Sequence, residues 1–168
     1  MKVIAKQRRI EGKTNYLKRK RLLEGRKPRI AVRKTNRYII IQYIDSKFAQ
    51  DKIAASANSK DLLDYGWLER KTGCLKSLGA AYLTGFLFGS KLKKLGLDKE
   101  EAILDTGLTR STKGSRIYSA AKGIIDAKIK LNCSPEVFPE ERRIKGENIK
   151  EFFDKVKENI ENKSGAKK

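Results

Sequence analysis

The sequence predicts an α/β fold, a three-layer α/β/α sandwich with a mixed sheet, extended by a basic amino-terminal arm and a carboxyl-terminal helix. Residues 28–45 contain two β-branched runs around a polar turn, and the second run is apolar on both faces, so helices must cover both faces of the sheet. Residues 79–89 are apolar nearly all round, which predicts a buried helix. The strand and helix that follow predict a parallel crossover into the same sheet.

The composition indicates one domain that binds a polyanion. The chain has 168 residues, 39% of them hydrophobic, and we divide it into an arm at 1–27, a core at 28–130 and an irregular extension with an amphipathic helix at 131–168. The 40 Lys and Arg exceed the 20 Asp and Glu, giving a net charge of +20, of which residues 1–37 hold +13. Nucleic acid is the first candidate for the partner.

The sequence lacks the features of several other protein classes. It contains no histidine, and Cys74 and Cys133 stand far apart, so neither a zinc set nor a disulfide framework is expected. Two such thiols are typical of a reducing cytoplasm. The first residues lack the apolar region of a signal peptide, and the apolar run at 78–89 is too short to cross a bilayer. We therefore expect a cytoplasmic protein without a metal, a cofactor, a small-molecule substrate or a membrane partner.

The arm is predicted to contain one helix, which Thr14 caps and Gly25 ends. Its apolar stripe is thin, while Lys18, Arg19 and Arg21 occupy much of the remaining surface. Such a segment gains little by folding alone, so we expect it to become ordered against a phosphate backbone. A flexible solubilising tail is the alternative.

Three sequential strands are expected next, the last of them weak and running from Asp51 to Asn58. The turn between the first two lies at Thr35-Asn36, where asparagine tolerates a left-handed backbone. The cations near this turn are expected to cluster at its tip, either as a basic patch or as an ordinary solvated turn. They are Arg33, Lys34 and Arg37.

The long buried helix is expected at Cys74–Leu95, ended by Gly96, with its glycines packed closely against the sheet. A short buried strand follows at Ala102–Thr106, and Ser115 is expected to cap a second amphipathic helix. A last helix at Glu147–Glu161 is expected to dock its apolar face on another part of the protein.

Two further features suit nucleic-acid binding. The loop Gly107–Arg116 joins the carboxyl end of a strand to the amino end of a helix, where backbone amides and the helix dipole favour an anion. It carries Lys113 and Arg116; the spacing of a nucleotide-binding loop is absent, and a solvated loop is the alternative. Most aromatic rings near the basic stretches are expected in the core, and Tyr16 and the loop Tyr65–Trp67 are the best candidates for exposure and for stacking on bases.

A catalytic interpretation is also open. Asp45 and Asp105 fall near the ends of two predicted strands, where carboxylates could hold two metal ions for nuclease chemistry. Without histidine or an acidic partner motif, aspartates at such positions more often cap turns. Magnesium-dependent cleavage of RNA would separate the two interpretations.

Eight spaced motifs form one combined pattern. They are Arg8-Arg9-x-Glu11-Gly12-Lys13-Thr14-x-Tyr16, Gly25-x-Lys27-Pro28-Arg29, Val32-Arg33-Lys34-Thr35-Asn36, Tyr65-Gly66-Trp67, Ala80-Ala81-Tyr82-Leu83-Thr84-Gly85, Leu104-Asp105-x-Gly107-Leu108, Thr112-x-Gly114-Ser115 and Phe138-Pro139. With this combination, the chain resembles over nearly its whole length the archaeal and eukaryotic type of the universal large-subunit ribosomal protein that binds 5S rRNA, the eighteenth family of that subunit.

The resemblance implies a structural, non-enzymatic protein of the central protuberance, whose three-layer fold is related to the ribonuclease H motif. Its implied partners are 5S rRNA, large-subunit rRNA and neighbouring ribosomal proteins. A protein that coats nucleic acid without specificity is the alternative. From the charge pattern and the resemblance together, the residues expected to contact RNA are Arg8, Arg9, Lys13, Thr14, Tyr16, Lys18, Arg19, Arg21, Arg33, Lys34, Asn36, Arg37, Lys113 and Arg116.

Overall fold

The computed structural model describes residues 6–47, 50–68, 74–146 and 149–165. The predicted helices and strands occur in the expected order, with several additional short helices and one additional short strand near the carboxyl terminus. The elements are α1 (Gln7–Ile10), α2 (Tyr16–Glu24), β1 (Arg29–Lys34), β2 (Ile39–Lys47), β3 (Gln50–Asn58), a 3-10 helix (Ser59–Tyr65), α3 (Leu78–Lys94), β4 (Ala102–Asp105), α4 (Arg116–Asp126), β5 (Leu131–Asn132), a second 3-10 helix (Pro135–Val137), α5 (Glu141–Lys145) and α6 (Lys150–Gly165).

One mixed sheet of five strands organises the fold, in the order β3-β2-β1-β4-β5. The meander β1 to β3 is antiparallel, whereas β4 pairs with β1 in parallel and β5 pairs with β4 in parallel. The predicted parallel crossover is therefore confirmed. The hairpin turn differs from the prediction, because Asn36 is not among the described residues with a positive φ; instead, the Thr35 hydroxyl bonds both backbone groups of Tyr38.

The two faces of the sheet have opposite character. On one face, Ile30 and Val32 pair with Tyr43 and Ile41, and these apolar residues form a core with α3 and α4. The other face carries Arg29, Arg33 and Asp105, which alternate with those core residues along the strands. Because α2 contacts this charged face, the arm, the sheet and the α3–α4 pair form the predicted three layers, although the sequence predicted the arm as an extension set apart from the sandwich.

α3 is buried on both sides, as its apolar run predicts. Phe88 packs in the core against the sheet, while Leu83 and Leu87 pack in a second apolar cluster with α6. The helix begins later than expected, because the Ser77 hydroxyl accepts the Ala80 N–H and caps it. Gly96, at φ +67°, follows its last turn as predicted.

The glycines of α3 approach another helix rather than the sheet, which corrects the prediction. A Cβ on Gly85 would lie 2.1 Å from the carbonyl oxygen of Ala120 in α4, and a Cβ on Gly123 of α4 would lie 2.1 Å from that of Tyr82 in α3. Only residues without a side chain allow this crossing distance. The two helices therefore meet backbone to backbone, which fixes the position of α4.

The carboxyl-terminal helix docks on an apolar surface, as expected. Its apolar side chains join the cluster on the outer side of α3, where the ring of Phe152 meets that of Trp67 edge-on at 5.2 Å between centroids. Trp67 is only 2% exposed, so this candidate for exposure is instead a core residue, the alternative that the sequence left open; the cluster needs its large apolar ring. No helix within the described residues is both long and apolar enough to span a membrane.

Candidate nucleic-acid interface

Charged residues gather where β1 and β4 end. These strands are parallel and in register from Arg29 opposite Ile103 to Ala31 opposite Asp105, so their carboxyl ends lie at the same edge of the sheet. The arm crosses the face next to this edge. At the carboxyl ends of strands, loops and helix termini supply polar groups to one place, which makes this edge a favourable position for a binding site.

Asp105 holds the middle of this edge together. It is only 7% exposed, and its Oδ2 accepts a hydrogen bond of 2.7 Å from Arg33 Nη2 and lies 3.7 Å from Arg29 Nη1. Its Oδ1 accepts the Gly107 N–H at 2.8 Å, so it caps the turn after β4. Burial alone would raise the pKa of Asp105, but the bonds from Arg33 and Gly107 and the two guanidinium charges outweigh burial and lower it.

Asp51 joins the arm to the sheet. Its two oxygens accept hydrogen bonds of 2.7 Å from Arg19 on α2 and from Arg29 on β1, and Ser46 adds a third. Burial would raise the pKa of Asp51, but the hydrogen bonds from Arg19 and Ser46 and the charge of Arg29 lower it to about 2. Arg29 thus bridges two carboxylates while only 3% of its side chain is exposed.

A second set of contacts anchors α2 beside the loop after β4. The Lys18 ammonium donates hydrogen bonds to the Thr106 hydroxyl at 2.9 Å and to the Gly107 carbonyl at 3.0 Å. The prediction that the arm gains little by folding considered only its thin apolar stripe. Polar and ionic contacts with the sheet hold the arm instead, and they place its cations at the sheet edge.

The docked arm is expected to detach in acid. A carboxylate whose pKa is lowered by folding stabilises the folded state above its unfolded pKa, and this contribution is lost as the pH falls through the folded value. For Asp51, the loss falls between about pH 4 and about pH 2. Hydrogen-exchange protection of the α2 amides, measured by NMR, should fall across this interval. In Asp51→Asn the α2 amides should be weakly protected even at about pH 4. Equal protection of these amides in wild type and Asp51→Asn at that pH would contradict the role of Asp51 in holding the arm.

A cavity of about 360 Å³ lies between the arm, β1 and the loop after β4, and we call it the arm groove. Its lining combines six cationic side chains with a single carboxylate, Asp105, which is already engaged by arginines. The cations are Arg8, Lys13, Lys18, Arg19, Arg29 and Arg33. Such a lining creates a positive potential inside a concave surface, which concentrates anions.

The arm groove brings together part of the predicted RNA-contact set, namely Arg8, Lys13, Thr14, Lys18, Arg19 and Arg33. Thr14 does not cap α2: its hydroxyl accepts a hydrogen bond from Arg8 Nε at 3.0 Å, and Asn15 caps the helix by accepting the Lys18 N–H. Arg33 is tied to Asp105 rather than free at the hairpin tip.

The other predicted residues lie outside the arm groove. Arg9 and Arg21 are exposed on the arm, and the half-buried ring of Tyr16 stacks under the Lys6 ammonium at 4.7 Å. Asn36 and Arg37 are exposed at the hairpin turn, and Lys113 is exposed in the loop before α4. Lys34 and Arg116 line a different cavity on the helix-covered side of the sheet.

Sequence reasoning missed two structural residues of this site. Arg29 was noted only as part of a motif, although an arginine flanked by Pro28 and Ile30 in a buried strand signals a paired internal charge. Asp51 was treated only as the start of a strand. Its two arginine partners lie 32 and 22 residues away, and no local pattern indicates either pairing.

Comparison with known proteins identifies the family. A family model described as "Ribosomal large subunit proteins 60S L5, and 50S L18" matches residues 2–102. The large ribosomal subunit protein uL18 of Korarchaeum cryptofilum is 52% identical over 151 residues, which cover 90% of this chain and 74% of that protein. The chain belongs to the uL18 family.

Two other uL18 proteins support the same family assignment. Those of Methanoregula boonei and Methanothrix thermoacetophila are 41% and 47% identical, over 95% and 86% of this chain and over 88% and 82% of the relatives. As a uL18-family member, the chain is a structural constituent of the large ribosomal subunit in the cytoplasm and not an enzyme.

The nuclease interpretation was therefore wrong, and Asp105 serves as the turn cap that the sequence also allowed. Among the described residues, no group of three His, Cys, Asp or Glu side chains is placed to hold a metal ion.

Proposed function

We propose that this uL18-family protein binds 5S rRNA, with the arm groove as the centre of its contact surface, and helps to attach it to the large-subunit rRNA. The observation that carries the proposal is the lining of the arm groove, which has six cations and one carboxylate. Phosphate contacts supply most of the affinity between a protein and a nucleic acid and set its orientation.

Docking of the arm supports specific rather than nonspecific binding. Two hydrogen bonds fix Lys18, and an ion pair with Asp51 fixes Arg19. The cations of the arm that line the groove therefore have defined positions before RNA binds. A preorganised surface selects RNA by shape and loses less conformational entropy on binding. Arg9, Arg21, Asn36, Arg37 and Lys113 extend the proposed contact surface beyond the groove.

Competition between RNAs tests the proposal directly. The full-length protein is expected to prefer 5S rRNA over an unrelated structured RNA of equal length, at several salt concentrations. If about 6 phosphates are neutralised, the logarithm of the binding constant should fall with the logarithm of salt concentration at a slope of about −4 to −5. Equal affinity for both RNAs would instead support a protein that coats nucleic acid without specificity.

Two double variants test whether the arm groove supplies the affinity for RNA. The double substitution Arg8→Ala and Lys13→Ala removes two exposed cations of the lining and should reduce the steepness of the salt dependence by about 1.4 to 1.8. The matched control is Lys20→Ala with Lys155→Ala, which removes the same charge from exposed residues outside the groove. Equal changes in slope for the two double variants would mean that total charge, and not the groove, determines binding.

A further inference from the structure

A second cationic cavity lies on the opposite face of the same sheet edge. Successive side chains of a strand alternate between faces, so Arg33 enters the arm groove while Lys34 lines a cavity of about 230 Å³ beside the start of α4. We call it the α4 pocket. Its lining includes three cations, Lys34, Arg116 and Arg143, and no carboxylate. None of the three forms an ion pair with another described residue.

The start of α4 has no acidic side chain to complement the helix dipole. The first turn contains no acidic residue and begins with Arg116, whose charge has the same sign as the amino-terminal end of the helix dipole. The amides of the first turn have no acceptor within the helix. The hydroxyl of Ser115, the residue that precedes the helix, does not supply one.

The Ser115 hydroxyl is a second, independent feature of the pocket lining. Its oxygen is buried, and it has no hydrogen-bond partner among the described residues, although Ser115 lines the α4 pocket. Buried hydroxyl groups are nearly always paired in folded proteins. A ligand with acceptor oxygens would satisfy this donor and the helix amides together.

Arg143, which lies on α5, reaches the α4 pocket from a second element. A Cβ on Gly114, at φ +69°, would lie 3.0 Å from Arg143 Nη1, so the bare glycine backbone allows the guanidinium to approach the loop. The Gly114 N–H donates to the Val137 carbonyl at 2.9 Å, which ties this loop to the segment before α5. The loop, the helix terminus and α5 thus converge on one cavity.

We propose that the α4 pocket binds one phosphate group of an RNA, as a site distinct from the arm groove. The ligand class rests on the proposed function, whereas the site rests on the unpaired cations, the free helix terminus and the buried hydroxyl. Arg143 and Lys34 supply charge, and Ser115 and the first-turn amides of α4 donate hydrogen bonds to phosphate oxygens. Thr109 borders both cavities, so the two sites lie side by side along the sheet edge.

Arg143→Ala tests the site, and Arg142→Ala is the matched control. Both residues are exposed on α5, but only Arg143 lines the pocket. In the RNA-free protein, titration with inorganic phosphate should shift the NMR signals of the Ile117 and Tyr118 amides in wild type and Arg142→Ala, and these shifts should be lost in Arg143→Ala. With RNA, Arg143→Ala should bind about tenfold more weakly and with a salt slope shallower by about 0.7 to 0.9.

The outcomes separate this site from the proposed function. If Arg143→Ala behaves like Arg142→Ala in both measurements, the α4 pocket is not a phosphate site, even where wild type prefers 5S rRNA. If wild type lacks that preference but Arg143→Ala still loses phosphate binding and slope, the pocket stands and the 5S proposal falls. Circular dichroism of both variants establishes that they are folded.

Discussion

Replacing Asp105 with alanine is expected to lower the free energy of unfolding by about 3 to 5 kcal/mol. Asp105 is the shared anion of Arg29 and Arg33, and it also accepts the Gly107 N–H. Its removal leaves the buried Arg29 with one carboxylate instead of two and leaves a turn amide without its acceptor. Unpaired buried charges and donors retain their full desolvation cost, so the loss exceeds that of a surface ion pair.

Equilibrium unfolding in urea measures this effect, with Glu101→Ala as the control. Glu101 pairs with Lys27 at an exposed position, so its loss changes the charge equally but should cost under about 1 kcal/mol. Asp105→Asn should fall between the two, since an amide oxygen still accepts the Gly107 N–H. A stability loss for Asp105→Ala no greater than that for Glu101→Ala would refute the role assigned to Asp105.

The same aspartate shows where sequence reasoning ends. The hairpin and the buried helix α3 follow from periodicity, because each pattern lies within one local segment. The pairing of Arg33 with Asp105 spans 72 residues, and it depends on the parallel register of β1 and β4. Sequence reasoning identified Asp105 as a turn cap or a metal ligand, but its arginine partners became evident only from the packed sheet.

The binding residues were only partly predictable for a related reason. Charge density correctly marked the arm and the hairpin as cationic, yet it did not distinguish cations that are paired within the protein from those that remain available. Arg33 and Lys34 were assigned to one tip, although strand alternation places them on opposite faces, in two different cavities. The predicted start of α2 was also displaced, because Thr14 and Asn15 are both suitable caps and the structure uses Asn15.

Gly123→Ala is expected to destabilise the protein by about 3 kcal/mol, despite the higher helix propensity of alanine. The added Cβ would lie 2.1 Å from the Tyr82 carbonyl oxygen, below the 3.0 Å that real Cβ atoms respect, and a backbone oxygen cannot rotate away. The helices must then separate, which loosens the core between α3 and α4. Gly85→Ala should cost a similar amount, because its Cβ meets the Ala120 oxygen at the same distance.

Gly25→Ala is the control for this pair. Gly25 has a helical φ of −66°, and its Cβ would approach the flexible end of the Ile103 side chain at 3.2 Å, so the change should stay within about 1 kcal/mol. Thermal and urea unfolding of the three variants give the comparison. If Gly123→Ala were as stable as the wild-type protein, the crossing of α3 and α4 would adapt easily to the added Cβ.

If the crossing is rigid, as its backbone contacts indicate, Gly123→Ala should also displace the start of α4 and weaken phosphate binding in the α4 pocket, whereas Gly25→Ala should not.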